Sequence, residues 1–333
     1  MKIHFLLPLL LIAFSSCARE ADLVVYCSLD QVHSEKILKL FADRTGLDVM
    51  GAWDVERNKT VGLVNRLLAE QNHPRADVYW NNEIAHTIRL KKAGLTQPYA
   101  SPSAEGIPFG YKDADHHWTG FAARARVFLQ RTDKEVALPA RVYEMAEPQF
   151  ARHGAMAAPL TGTTLTHFSA LSLNDSSTHV LTWLDKASQS GLKIGAGNAD
   201  VMRRTCEGDV DWCLTDTDDA AAARRNGHPV EVVFPDQGEG GRGALLIPNT
   251  VCMIANAPHP DAARQFIDFV LSAEVEALLA ASDSEQIPLR PGVDAPDYVK
   301  LPGRDFHATT VNWEAVANEL DQRFPDFQKQ FVK

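Results

Sequence analysis

Short polar stretches follow four of the predicted strands, and their side chains could bind an ion. They are Ser28 and Asp30; Asn81, Asn82 and Glu83; Thr161, Gly162, Thr163 and Thr164; and Asp216, Thr217 and Asp218. In a doubly wound sheet, ligands bind beyond the carboxyl ends of the strands. We therefore predict that these stretches face one another across a single ligand-binding cleft.

Two kinds of chemistry are available in this set. The turn at residues 161–164 contains a glycine and opens a predicted helix, where free backbone N–H groups favour an anion. Arg124 and Arg126, two positions apart on a predicted strand, could add guanidinium contacts to that anion. The acidic members could instead bind a hard metal ion or a cationic group. The candidate metal ligands are Asp30, Glu83, Asp216 and Asp218.

A simpler interpretation competes at each position. Asn82, Thr163 and Asp218 are favourable residues for the N-cap of a helix, and acidic residues in a first helical turn suit the helix dipole. The functional interpretation depends on the combination, since four strand ends all carry carboxylates, amides or hydroxyls.

The order of predicted elements shows how these stretches would be positioned. From residue 23 onward, apolar runs typical of buried strands alternate with amphipathic helical segments, which predicts an α/β fold with parallel sheets. A second α/β set begins near residue 155. We predict two doubly wound lobes joined by a double hinge, lobe 1 comprising residues 22–120 and 248–333 and lobe 2 residues 121–247. Two lobes on two hinge strands create a cleft that can close around a ligand.

Length and charge limit the functional classes. A chain of 333 residues is long enough for two lobes. Its formal net charge of −10 argues against nucleic-acid binding, which needs clustered Lys and Arg. The chain lacks the G-x-S-x-G and H-E-x-x-H motifs, so a secreted hydrolase is only a remote alternative.

The N-terminus resembles an export signal. A short basic start is followed by an apolar run too short to cross a bilayer as a mature helix, and then by Ser15, Ser16 and Cys17. Small residues before a cysteine resemble the lipobox of bacterial lipoproteins. We predict a signal peptide at residues 1–17 with lipidation of Cys17, ordinary signal cleavage being the alternative. The protein would then be periplasmic and anchored to a membrane through lipid only.

Four further cysteines could meet oxidising conditions after export. Cys206 and Cys213 flank a short polar segment, so they are a candidate disulfide. Cys27 and Cys252 lie in apolar runs and are expected to be small buried residues.

Several segments together resemble the ferric-iron-type group of periplasmic solute-binding proteins. They are Val24-Val25-Tyr26, FADRTG at 41–46, ADVY at 76–79, KAGL at 92–95, and PHPDA at 258–262 before a helix at 267–269. The resemblance covers nearly all of the mature chain. It implies the type II periplasmic binding fold, no enzymatic activity, no cofactor, and delivery of a ligand to the permease and ATPase subunits of an ABC importer. We expect a monomer.

The sequence departs from this group at the metal site. Ferric binders of the group carry adjacent tyrosines where this chain has Thr217 and Asp218. The turn at 161–164 matches the group's anion-binding turn, and Arg124 falls near one of its anion-contacting arginines. The resemblance therefore implies capture of ferric iron or a similar hard metal ion with an anion. The alternative is a small organic ion such as an aminoalkyl phosphonate, thiamine or a polyamine.

Overall fold

The computed structural model describes residues 21–54 and 61–332, and Cys17, the predicted lipidation site, lies outside these ranges. The strands are β1 (Leu23–Cys27), β2 (Val49–Trp53), β3 (Val78–Asn81), β4 (Thr96–Gln97), β5 (Thr119–Arg131), β6 (Gly154–Ala157), β7 (Lys193–Gly195), β8 (Trp212–Asp216), β9 (Val230–Val233) and β10 (Leu246–Ile254). The helices are α1 (Gln31–Thr45), α2 (Val61–Ala69), α3 (Ile84–Lys92), α4 (Pro148–Ala151), α5 (Gly162–Asp175), α6 (Ser177–Gln189), α7 (Asn198–Glu207), α8 (Thr217–Arg225), α9 (Pro260–Val270), α10 (Ala273–Ala280) and α11 (Trp313–Phe331).

The strands form a continuous sheet in the order β2-β1-β3-β10-β5-β8-β6-β7, with β4 added on β10 and β9 on β5. Strand β1 pairs in parallel with β2 and β3, and β6 pairs in parallel with β7 and β8. The two parallel groups are separated by the antiparallel strands β5 and β10. Each parallel group is the centre of one α/β lobe, as the alternation of elements predicts.

Strand β1 illustrates why apolar runs become central strands. Leu23, Val25 and Cys27 belong to one core cluster, and Val24 and Tyr26 to another. Side chains alternate between the two faces of a strand, so both faces of β1 are covered. This burial explains why no residue of β1 is charged and why the strand appears in the sequence as a continuous apolar run.

Two strands carry the chain between the lobes. The first half of β5 pairs with β10, ending at Ala125, and its second half pairs with β8, beginning at Arg126. The pairing of β5 with β10 contains a register shift between Pro248 and Asn249, and Ala122 has a φ of 38°. A non-glycine residue with positive φ is uncommon, and backbone strain of this kind clusters at active sites, ligand clamps and conformational switches. The lobe boundaries at 120/121 and 247/248 remain predictions.

Helix α11 contacts both lobes. Asp321 pairs with Arg89 of α3 in lobe 1 at 3.0 Å, and Gln330 donates to Asp185 of α6 in lobe 2 at 2.6 Å. Phe327 is fully buried, and Pro325 lies inside the helix between the two sets of contacts. The C-terminal helix thus contacts elements of both predicted lobes, and its assignment to lobe 1 remains a prediction.

The predicted disulfide between Cys206 and Cys213 is wrong, because both are free thiols. Cys213 lies in β8 and packs in a core cluster with Leu129 and Val201. Cys206 is half-buried in the last turn of α7, with its Sγ 3.7 Å from Sδ of Met202. Cys27 and Cys252 are buried, as expected of small apolar residues. Among the residues that the structure describes, no helix has the length and apolar character needed to cross a membrane.

Candidate functional site

A cavity of about 490 Å³ lies where strands of both lobes end. Its lining comes from lobe 1, from β5 and from four segments of lobe 2. The lining residues are Asp30, Asn82, Arg124, Ala157, Thr161, Gly162, Thr163, Thr164, Ala196, Gly197, Asn198, Ala199, Asp200, Asp216, Asp218 and Asp219. Most of the residues predicted from the strand ends therefore share one cavity.

Two helices begin at this cavity without a side-chain cap. Thr161 at the N-cap of α5 and Gly197 at the N-cap of α7 make no side-chain hydrogen bond to their helices. Gly162 has a φ of 56°, a conformation that favours glycine. The first N–H groups of a helix lack intrahelical acceptors and carry the positive end of the dipole. Two such ends bordering one cavity make this side suited to an anion.

Arg126 organises the lobe 2 side of the cavity. Its Nη1 donates to Oδ1 of Asp216 at 2.6 Å and to Oγ1 of Thr163 at 3.1 Å, and Nη2 donates to Oγ1 of Thr164 at 3.2 Å. Thr163 Oγ1 donates to Oδ2 of Asp216 at 2.6 Å, and Asn198 Nδ2 donates to the same oxygen at 2.9 Å. This network fixes the starts of α5 and α7 relative to β8.

The charge of Asp216 is compensated within this network. Burial alone would raise the pKa of Asp216, but Arg126, Arg124 and the hydroxyl of Thr163 outweigh it and lower the pKa. The carboxylate is therefore ionised and surrounded by donors. Such an oxygen pair offers less to an incoming metal ion than an open carboxylate would.

Arg124, unlike Arg126, lines the cavity. It is 6% exposed and lines the cavity, and its Nε lies 3.2 Å from Oδ2 of Asp216 but makes no hydrogen bond. Burial would lower the pKa of Arg124, but Asp218, Asp216 and Asp219 raise it. A charged guanidinium that lines a cavity is a candidate to contact an anionic ligand.

Carboxylates border the same cavity on the α8 side. Oxygens of Asp216, Asp218 and Asp219 lie within 4.8 Å of one another. Asp219 accepts a hydrogen bond from Oγ1 of Thr215 at 2.7 Å, and Asp218 Oδ2 lies 4.0 Å from Nη1 of Arg124. Basic and acidic groups therefore lie side by side, and a ligand carrying both an anionic and a donor group would complement them.

Four predicted site residues lie outside the cavity lining. Ser28 bonds to the hydroxyl of Tyr79 at 2.8 Å, Asn81 donates to Thr87 at 3.0 Å, and Thr217 accepts from the N–H of Ala125 at 3.2 Å. These side chains contact other residues near the strand ends, and their predicted role in ligand binding remains a prediction.

Glu83, the fourth, caps α3. Its carboxylate accepts from the backbone N–H groups of Ala85 and His86 at 3.0 and 3.2 Å, and from Oγ1 of Thr166 at 2.6 Å. Thr166 belongs to α5, so this buried contact joins the two lobes. The N-cap of α3 is therefore Glu83 and not Asn82, and the role of Glu83 as a metal ligand remains a prediction.

Several lining residues were not singled out from sequence. Gly197, Asn198 and Asp200 follow β7, which has three residues. A three-residue strand gives almost no periodic signal, so the strand end at Asn198 could be found only by expecting a further parallel strand beside β6.

The burial of His167 predicts how the free energy of unfolding depends on pH. Burial lowers the pKa of His167 to about 3, Arg126 acts in the same direction and Asp216 opposes it. The folded protein keeps this ring neutral, whereas the unfolded chain protonates it below about pH 6.5. The contribution of the neutral His167 ring to the free energy of unfolding is therefore complete above that pH. It is lost as the pH falls from 6.5 towards 3, by about 1.4 kcal/mol per pH unit.

Urea unfolding between pH 7 and 4.5 measures this effect. The His167→Leu variant should show a shallower loss of unfolding free energy with acid than the parent protein. His73→Asn, at an exposed position, should leave the slope unchanged. Equal slopes for the parent and His167→Leu would contradict the assignment.

Two α/β lobes joined by shared strands, with a polar cavity at the strand ends of both, are the arrangement typical of a solute-binding protein. The chain belongs to the bacterial extracellular solute-binding protein family, whose model matches residues 38–306. The predicted type II periplasmic binding fold is confirmed by the structural matches, and the predicted family resemblance by both kinds of comparison.

The chain is similar to the major ferric iron-binding protein of Neisseria meningitidis serogroup A, with 24% identity over 313 residues, covering 90% of this chain and 92% of that protein. Iron-bound HitA from Pseudomonas aeruginosa superposes with a TM-score of 0.81 at 22% identity, covering 92% of this chain and 98% of HitA. AfuA from Actinobacillus pleuropneumoniae with bound fructose-6-phosphate superposes with a TM-score of 0.74 at 18% identity, covering 92% and 97%. HitA and AfuA thus share this fold but bind different ligands.

Proposed function

We propose that the protein is the exported, lipid-anchored solute-capturing component of an ABC importer, and that its solute is a small organic ion with a phosphate- or phosphonate-type group. The oxyanion would bind at the starts of α5 and α7 and on Arg124. The remainder of the solute would carry an amine or hydroxyls facing Asp30, Asp218 and Asp219. The ligand would pass to the permease and ATPase subunits of the importer.

The charged guanidinium of Arg124, which lines the cavity, is the observation that carries this proposal. A guanidinium binds an oxyanion through charge-assisted hydrogen bonds. The uncapped starts of α5 and α7 supply further donors beside it. The complex of AfuA with a sugar phosphate supports the idea that this fold can hold such a ligand.

Ferric iron with an accompanying anion is the second candidate. The carboxylate group of Asp216, Asp218 and Asp219 and the similarity to the Neisseria ferric iron-binding protein favour it. Against it, the described cavity lining contains no Tyr, His or Cys, and Asp216 is already held by Arg126, Thr163 and Asn198. Hard oxygen ligands remain, but the phenolates that bind ferric iron strongly are not among them.

Thermal unfolding of the ligand-free protein with 2-aminoethylphosphonate, ferric citrate, thiamine and spermidine separates the candidates. A ligand present at ~100 times its Kd should add about 2.7 kcal/mol to the unfolding free energy. We expect this shift with the phosphonate. A shift with ferric citrate, and none with citrate or with the phosphonate, would contradict the proposal in favour of iron.

A further inference from the structure

Glu83 and Thr166 form a buried contact between the two predicted lobes, and neither residue belongs to the cavity lining. Oγ1 of Thr166 donates to Oε1 of Glu83 at 2.6 Å, where Thr166 is 0% and Glu83 is 1% exposed. Asn82, which precedes Glu83, lines the cavity, as does the turn at 161–164 that begins the helix of Thr166. The contact therefore joins two chain segments that border the cavity from different lobes.

Both partners keep hydrogen bonds of their own if this contact breaks. Glu83 retains the backbone N–H groups of Ala85 and His86, which belong to α3. The hydroxyl of Thr166 has a second acceptor within α5, the carbonyl oxygen of Gly162 at 3.4 Å. Threonine hydroxyls commonly bond back to the carbonyl four residues earlier in a helix. Separation of α3 from α5 would therefore leave each side chain with a partner, so the contact can form and break reversibly.

The contact favours the arrangement in which the two lobes lie together. Its acceptor is a carboxylate, and the loss of one hydrogen bond to a charged group changes an equilibrium by about tenfold or more. A ligand that contacts both lobes needs them together, so its apparent affinity follows the population of that arrangement. A contact that never touches the ligand can therefore strengthen ligand binding.

We propose that Glu83 is a positioning residue, whose contact with Thr166 holds α5 and the anion-binding turn at its start against lobe 1 and so raises the affinity for the ligand. Glu83 acts through Thr166 and does not touch the ligand. The inference rests on the proposed capture of an ion between the lobes, but not on the identity of that ion.

Thr166→Val removes the hydroxyl but keeps the branched shape of the side chain and leaves the cap of α3 intact. Titration calorimetry on the mature protein should give it a Kd for 2-aminoethylphosphonate about fivefold higher than that of the parent, since a tenfold shift of an evenly populated equilibrium lowers the binding-competent population about fivefold. Thr166→Ser restores the donor and should bind within about twofold of the parent. Small-angle X-ray scattering without ligand is the second readout, and Thr166→Val should have a larger radius of gyration than the parent.

Thr205→Val is the matched control. Thr205 is a fully buried threonine of α7, its hydroxyl donates to the carbonyl oxygen of Val201 in the same helix at 3.0 Å, and it lies outside the cavity lining. This variant makes the same chemical change within lobe 2, and it should keep the affinity and the radius of gyration of the parent. Circular dichroism melting of each variant without ligand checks that it is folded.

The outcomes separate this inference from the proposed function. If the parent and Thr166→Val bound the phosphonate equally well, the positioning role of Glu83 would be wrong while the proposed ligand class stood. If Thr166→Ser lost as much affinity as Thr166→Val, the hydroxyl would not be the cause, and the inference would also be wrong. If the parent did not bind the phosphonate, the proposed ligand class would be wrong, and scattering would decide the inference alone. Equal radii of gyration for the ligand-free parent and Thr166→Val would then overturn it.

Discussion

Replacing Arg126 with methionine should lower the free energy of unfolding by about 3–5 kcal/mol, the usual result of removing one partner of a buried ion pair. Arg126 is completely buried and donates to Asp216, Thr163, Thr164 and Asn198. Methionine retains much of the volume but leaves these acceptors without their donor. Urea unfolding monitored by circular dichroism at pH 7 gives the change directly.

A double variant shows whether the uncompensated charge is the cause. Arg126→Met combined with Asp216→Leu removes both charges, and it should be more stable than Arg126→Met alone, since an apolar pair of similar volume often replaces a buried ion pair without loss. Arg203→Met removes an exposed arginine that pairs with Asp200 and Glu207, and it should cost less than about 1 kcal/mol. A double variant less stable than Arg126→Met would refute the electrostatic explanation.

Replacing Arg124 with methionine should weaken binding of the phosphonate ligand at least about 100-fold, equivalent to ~2.7 kcal/mol. The physical reason is the loss of a desolvated guanidinium at the cavity, while Asp216 keeps its contacts with Arg126. Arg124→Lys preserves the charge without the planar fork and should give an intermediate affinity. Titration calorimetry measures the affinity of the parent protein, Arg124→Met and Arg124→Lys for the phosphonate.

The control for this prediction is Arg264→Met, an exposed arginine on α9 that pairs with Asp261. Its affinity should equal that of the parent. If Arg124→Met bound the phosphonate as tightly as the parent, Arg124 would have no role in the site. A loss of affinity in Arg264→Met would instead attribute the effect to overall charge.

The strand ends could be predicted from sequence because their signal is strong and local. Apolar runs such as β1 and β8 are followed at once by polar residues, and the geometry of parallel sheets brings those ends together. This reasoning predicted a shared cavity for strand-end residues that do line it, namely Asp30, Thr163, Asp216 and Asp218.

The direction in which each polar side chain points could not be predicted in the same way. Glu83 turned out to cap α3 and contact Thr166 of the other lobe, a partner 83 positions away in the chain. Likewise, the sequence places Arg126 among the possible ligand contacts, but its guanidinium donates to Asp216, Thr163 and Thr164. Such choices depend on which acceptors the tertiary structure brings within reach, and one sequence does not reveal them.

The last helix of the chain has a mechanical consequence. Because α11 contacts α3 at Asp321 and α6 at Gln330, we expect any relative motion of the two predicted lobes to act on this helix. Pro325 lies between the two contacts and lacks the backbone N–H of a regular helical hydrogen bond, so we expect the helix to bend most easily there. We therefore expect a protein shortened after Pro325 to be less stable and to have a different range of lobe motion.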